Sequence, residues 1–163
     1  MALFKRRKPL QFSYDEDLTF LNGMRFKPLL DVILPKFDGE QLPTDLDPMD
    51  FPEWVPDLIM AELTGEGPSL GLAMRYFGGE PVQYYGELQG ESFSKEGATA
   101  DQDRWIAHAE KVKSLKRPLR LYTQQVQVKS QLIDIESLLV PTAEDGLSID
   151  RIFCFGHYIA RHQ

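Results

Sequence analysis

Residues 118–159 read PLRLYTQQVQVKSQLIDIESLLVPTAEDGLSIDRIFCFGHYI, and this stretch decides the fold class. Leu119, Leu121 and Thr123, then Val126 and Val128, alternate with one slip. From Gln131 to Val140, Ile133, Ile135, Ser137 and Leu139 alternate with Leu132, Asp134, Glu136 and Leu138, the period-2 pattern of a long strand. Asp134 and Glu136 share a parity, so they lie on one face. Pro141 to Leu147 supplies a turn, and Ile149 to Ile159 a last strand carrying Ile152, Phe153, Cys154, Phe155, Tyr158 and Ile159. Three consecutive strands joined by short connections predict an antiparallel meander.

Upstream of this meander the periods change. Residues 101–116 predict a helix, with Asp101 and Asp103 at its start and Lys111, Lys113 and Lys116 near its end, which suits the helix dipole. Trp105, Ile106, Ala109 and Val112 form its apolar face. Leu70 to Phe77 predicts a strand closed by a Gly78-Gly79 hairpin-type turn. Pro81 to Gly86 predicts a second short strand or turn, and residues 86–100 a loop. Phe51, Trp54, Val55, Leu58, Ile59 and Leu63 recur at spacings of three and four behind Asp50 and Pro52. That spacing predicts an amphipathic helix ended by Gly65, Gly67 and Pro68. Pro28 and Pro35 bracket a helical turn or two in the apolar segment 18–37, and residues 1–17 read as a loosely attached arm. The order from residue 49 is helix, short strands, loop and helix, long strands, which is an α+β domain with helices over one antiparallel sheet.

Composition bounds the function. A chain of 163 residues with 42% hydrophobic and 26% charged residues is a one-core globular chain. The lone Cys154 excludes an internal disulfide and a Cys-rich zinc site. No apolar run approaches the roughly 20 residues of a membrane span. A net charge of −7 argues against a general nucleic-acid binder. The charge is uneven: residues 1–10 carry four bases and no acid, whereas residues 11–66 carry 13 acids against 3 bases. No apolar core follows Lys5 to Lys8, so a secretory leader is not expected and a cytoplasmic location is.

Few local motifs carry chemistry. Gly65 to Gly71 has dinucleotide-loop glycines at the wrong spacing and on the wrong side of a helix. Ser92-Phe93-Ser94-Lys95 matches S-x-x-K without its partner motifs. Asp45, Asp47 and Asp50 do not complete a calcium loop. His108, His157 and His162 lack metal-ligand spacing, and Cys154 between Phe153 and Phe155 reads as a buried small hydrophobe. No catalytic residue and no metal site is expected. Lys111, Lys113, Lys116, Arg117 and Arg120 place five bases in ten residues. They read as a solvated helix end, as an anion or acidic-partner site, or as a patch covered in cis by the acidic N-terminal segment.

Several short segments in order resemble one family. Arg75-Tyr76-Phe77-Gly78-Gly79 is similar to an R-x-x-G-T run, and Leu88 to Phe93 to an L-x-G-x-x-F run, of PAS domains. The likeness is to the small single-domain PAS proteins of alphaproteobacteria. Asp47-Pro48 and Phe51 to Pro56 resemble that family's entry. Trp105 falls where it has a helix aromatic, and Arg117-Pro118 where its third strand opens. Glu136 to Pro141 and Asp150-Arg151-Ile152 resemble its ending. Gly79 stands where the family has Thr, and Tyr84-Tyr85 thickens the second strand.

The resemblance implies a five-stranded antiparallel sheet with helices over one face, spanning residues 47–163 behind an N-terminal extension of residues 1–46. It implies a bacterial signal-transduction role without catalysis, through contact with a signalling protein such as a histidine kinase, or through a homodimer. Lys111, Lys113, Lys116, Arg117 and Arg120 are the candidate partner-binding residues. The alternative is a sensor with a small metabolite or haem beside Trp105 and His108, although no cofactor is expected. A weaker alternative is a small α+β enzyme, which would need a carboxylate–histidine pair inside the cup. Cys154 lies on the last strand, away from a flavin-reactive helix motif, so flavin photochemistry is not expected.

Overall fold

A computed structural model describes residues 11–18, 25–128 and 130–160. The basic tail Lys5 to Lys8 and His162 lie outside the described residues. Seven strands form one sheet: β1 (Gln11–Asp15), β2 (Leu58–Thr64), β3 (Gly71–Phe77), β4 (Ser92–Ser94), β5 (Leu119–Val128), β6 (Gln131–Thr142) and β7 (Arg151–Ala160). Their order is β1-β5-β6-β7-β2-β3-β4. Every pairing is antiparallel. The meander read from residues 118–159 is therefore present as β5-β6-β7. The slip in its first strand is a register shift between Thr123 and Val126.

Among the described residues three α-helices accompany the sheet: α1 (Lys27–Ile33), α2 (Gly79–Tyr85) and α3 (Ala100–Leu115). The start of α3 is a capping box. Thr99 Oγ1 accepts from the Gln102 N–H at 3.2 Å, and Gln102 Oε1 accepts from the Thr99 N–H at 3.0 Å. Lys116 ends it in the left-handed conformation, φ 57°.

β6 shows how the two faces divide. Leu139 joins Leu119, Leu121, Ile152, Ala61 and Leu72 in one cluster, closed from above by Ile106, Ala109 and Val112 of α3. Its neighbours Leu138 and Val140 join Phe153, Phe155 and Leu58 in a second cluster, closed by Phe26, Leu29 and Ile33 of the α1 segment. Period-2 alternation sends adjacent residues to opposite faces, so a strand buried from Ile133 to Thr142 must be covered on both.

The structure corrects several expectations. The sheet has seven strands among the described residues, not five, and helical segments pack on both faces, not one. Residues 11–15, read as part of a loose arm, pair with β5, from Gln11 opposite Gln124 to Asp15 opposite Arg120. Phe12 and Tyr14 alternate with polar Gln11, Ser13 and Asp15, a strand pattern hidden in a charged context. The helix expected over residues 51–64 is a 3-10 helix (Pro52–Asp57) followed by β2. Pro56 has no N–H to donate and disfavours an α-helical turn around it, so the three-and-four spacing does not become an α-helix. Residues 81–85 are helical in α2, not extended. Gly78 starts α2 rather than a hairpin, and its N–H donates to the Leu58 carbonyl at 2.8 Å. The apolar segment around Pro28 and Pro35 is α1 with a short 3-10 continuation, Leu34–Lys36.

Candidate functional site: the cavity under the long helix

Between α3 and the sheet lies a cavity of about 100 Å³. Sheet parity builds its floor. Ile135, Ser137 and Leu139 of β6, Ile152 and Cys154 of β7, and Leu121 and Thr123 of β5 all point to the α3 side. α3 supplies the roof through Arg104, Trp105, His108 and Ala109. The two pocket candidates, Trp105 and His108, thus come together on one wall, spaced by about one turn of α3.

Aromatic contacts fix this wall. Trp105 meets Tyr85 edge-on at 5.2 Å and Phe93 at 6.1 Å between ring centres. The Tyr14 hydroxyl lies 2.7 Å from His108 Nδ1. Phe12 packs edge-on to the same imidazole at 4.9 Å. β1 therefore closes the cavity wall at His108. Burial pushes the His108 imidazole down to about 4, with the Arg104 charge adding to the shift, so the ring is neutral at pH 7. Burial also pushes the Cys154 thiol up to about 12, against a hydrogen bond from Ser137. A thiol held neutral is a poor nucleophile.

The five candidate partner-binding bases separate. Arg120 is a correction: it is 1% exposed and leaves the surface group. Its parity on β5 aims it at the face opposite α3. There its Nε donates to Glu136 Oε1 at 3.0 Å, and a terminal nitrogen lies 3.6 Å from Asp15. Lys111 is half-buried, pairs with Glu16 and sits 5.7 Å from the Tyr14 ring centre. The acidic residues beside β1 thus take two of the five bases in cis. Lys113, Lys116 and Arg117 remain exposed and take no ion pair with a described residue.

Asp134 and Glu136 do share a face, and it is the one turned away from the cavity. Both are buried. Tyr122 donates to Asp134 at 2.9 Å, and Glu136 holds Arg120. Among the described residues no carboxylate lines the cavity beside His108, so the carboxylate–histidine pair that an enzyme in the cup would need is not formed by them. Glu136 faces His157 across β6 and β7, and burial lowers the His157 imidazole from its ordinary value. No group of three or more His, Cys, Asp or Glu among the described residues is placed to hold a metal ion.

A haem does not fit this cavity, since sites for drug-sized ligands begin near 300 Å³ and this one holds about 100 Å³. Sequence reasoning missed Arg104, Tyr85, Ser137 and Cys154 as wall residues. For Ser137 and Cys154 the signal was present, because each shares parity with an apolar neighbour, Leu139 or Ile152, on the α3 side. Among the described residues no helix is long and apolar enough to cross a membrane. Compared with known proteins, the chain matches no family model, no curated protein and no solved structure.

Proposed function

We propose that this chain is a PAS-like regulatory protein that works without catalysis, by docking a signalling protein of the histidine kinase type. The supporting architecture is the run β3-β2-β7-β6-β5, five adjacent antiparallel strands within residues 47–163, with α3 packed over one face. The observation that carries the docking reading is the exposed trio Lys113, Lys116 and Arg117 at the end of α3. On a chain of net charge −7, three clustered bases without a described ion pair form a local positive surface, fitted to an acidic partner. Tagged protein recovered from its own cells tests this. The same partner should co-purify with the wild type and be lost with the variant Lys113→Glu, Lys116→Glu, Arg117→Glu. Equal recovery by both would remove the docking role of α3.

The cavity favours a second reading, a small-molecule sensor. A concave, mostly apolar space with a few converging polar groups is the usual form of a ligand site. Trp105 on its wall is the reporter: an occupant should change tryptophan emission in the full chain. The Trp105→Phe variant separates its signal from that of Trp54.

A further inference from the structure

The residues lining the cavity carry one formal charge, that of Arg104. The remaining polar wall groups are hydroxyls (Thr123, Ser137 and Tyr85), the Trp105 indole N–H, the Cys154 thiol and the neutral His108 ring. Arg104 is mostly buried, its side chain 18% exposed. Its ion-pair partner among the described residues is Asp101, 3.0 Å away on the preceding turn and 76% exposed. So exposed a carboxylate holds an arginine weakly and competes poorly for it.

We propose that the cavity takes a short aliphatic monocarboxylate, its chain among Ile59, Leu72 and Leu139 and its carboxylate on the Arg104 guanidinium. The inference rests on the small-molecule reading of the cavity and adds the ligand's class. Charge sets one end of the ligand. A buried anion needs a paired cation, and the planar guanidinium matches a carboxylate through two parallel hydrogen bonds. Volume sets the other end. An apolar cavity of about 150 Å³ accepts benzene, so about 100 Å³ accommodates roughly four carbons. A phosphate ester would bring more negative charge than one arginine balances.

The experiment is calorimetric titration of the full chain with butanoate and, separately, with 1-butanol, its neutral counterpart. Wild type, Arg104→Gln and Arg104→Lys are compared, with circular dichroism checking each fold. The expected result is butanoate binding that weakens about ten- to hundredfold in Arg104→Gln, the worth of a charge-assisted hydrogen bond. Arg104→Lys keeps the charge but loses the two parallel hydrogen bonds, so it should weaken butanoate binding, though less than Arg104→Gln does, and it serves as the test should the Gln variant fold poorly. Octanoate should not bind. If 1-butanol binds as tightly as butanoate, or both substitutions leave butanoate unchanged, the carboxylate inference is overturned while the cavity remains a small-molecule site. If neither compound binds, the inference and the small-molecule reading fall together.

Discussion

Glu136 sits at the centre of β6 with no exposed surface, and its role follows from what surrounds it. Arg120 lies between it and Asp15, so one buried cation serves two acids. Removing one partner of a buried pair leaves the other charge uncompensated, at a cost of about 3–5 kcal/mol. Glu136→Ala should therefore lower the melting temperature by roughly 10 °C for a chain of this size. The triple variant Asp15→Asn, Arg120→Met, Glu136→Leu should recover most of that loss, since it removes both acids together with the cation they share. Thermal unfolding of the three proteins checks both statements, and an unaltered melting point in Glu136→Ala would exclude the buried network. His108 makes the second residue-scale prediction. Its folded-state pKa is depressed, from 6.5 to about 4, so the unfolded chain binds the proton more readily. The stability it contributes is complete above pH 6.5 and is lost as pH falls towards 4. His108→Gln should flatten the pH dependence of urea unfolding across that window. At this scale the sequence was partly legible: parity paired Asp134 with Glu136. It placed Arg120 in a surface group of bases, because its burial depends on a strand partner 105 positions away in β1, Asp15.

Elements were legible where one physical signal ruled. The period-2 run of β6 and the acid-first, base-last order of α3 each matched the observed element. Residues 51–64 carried two signals in conflict, an apolar three-and-four spacing and a proline in its midst, and the backbone constraint won. The Gly78-Gly79 pair shows the same limit, because turn chemistry alone does not reveal a close approach. A Cβ on Gly78 would lie 2.4 Å from the Pro56 carbonyl oxygen and 2.7 Å from that of Val55, whereas one on Gly79 would meet nothing within 4 Å. Gly78→Ala should destabilise by about 1–3 kcal/mol, the usual cost of forcing extra volume into a packed site. Gly79→Ala, at the first position of α2, should be neutral or stabilising by up to about 1 kcal/mol. Denaturant midpoints of the two variants measure the contrast, and equal midpoints would contradict the close packing of α2 on the Pro52–Asp57 turn.

For the whole molecule, the N-terminal segment is the part that sequence reading placed least well. Residues 11–15 add an edge strand, and Phe26, Leu29, Ile33 and Leu46 cover the second face of the sheet. Charge and prolines made this region read as an appendage, since its apolar residues find their partners far along the chain, among them Phe153 and Phe155. Deleting residues 1–46 should uncover that face, giving self-association by light scattering and a lower melting temperature. An unchanged mass and melting point would show that the segment adds nothing to the core. We propose that the assembled molecule docks an acidic signalling partner through the end of α3. Native mass spectrometry of the protein gently isolated from its own cells tests it most directly. The expected result is a species carrying the mass of a second protein, absent when Lys113, Lys116 and Arg117 are all changed to Glu. The chain alone, or a complex that survives the triple substitution undiminished, would contradict it.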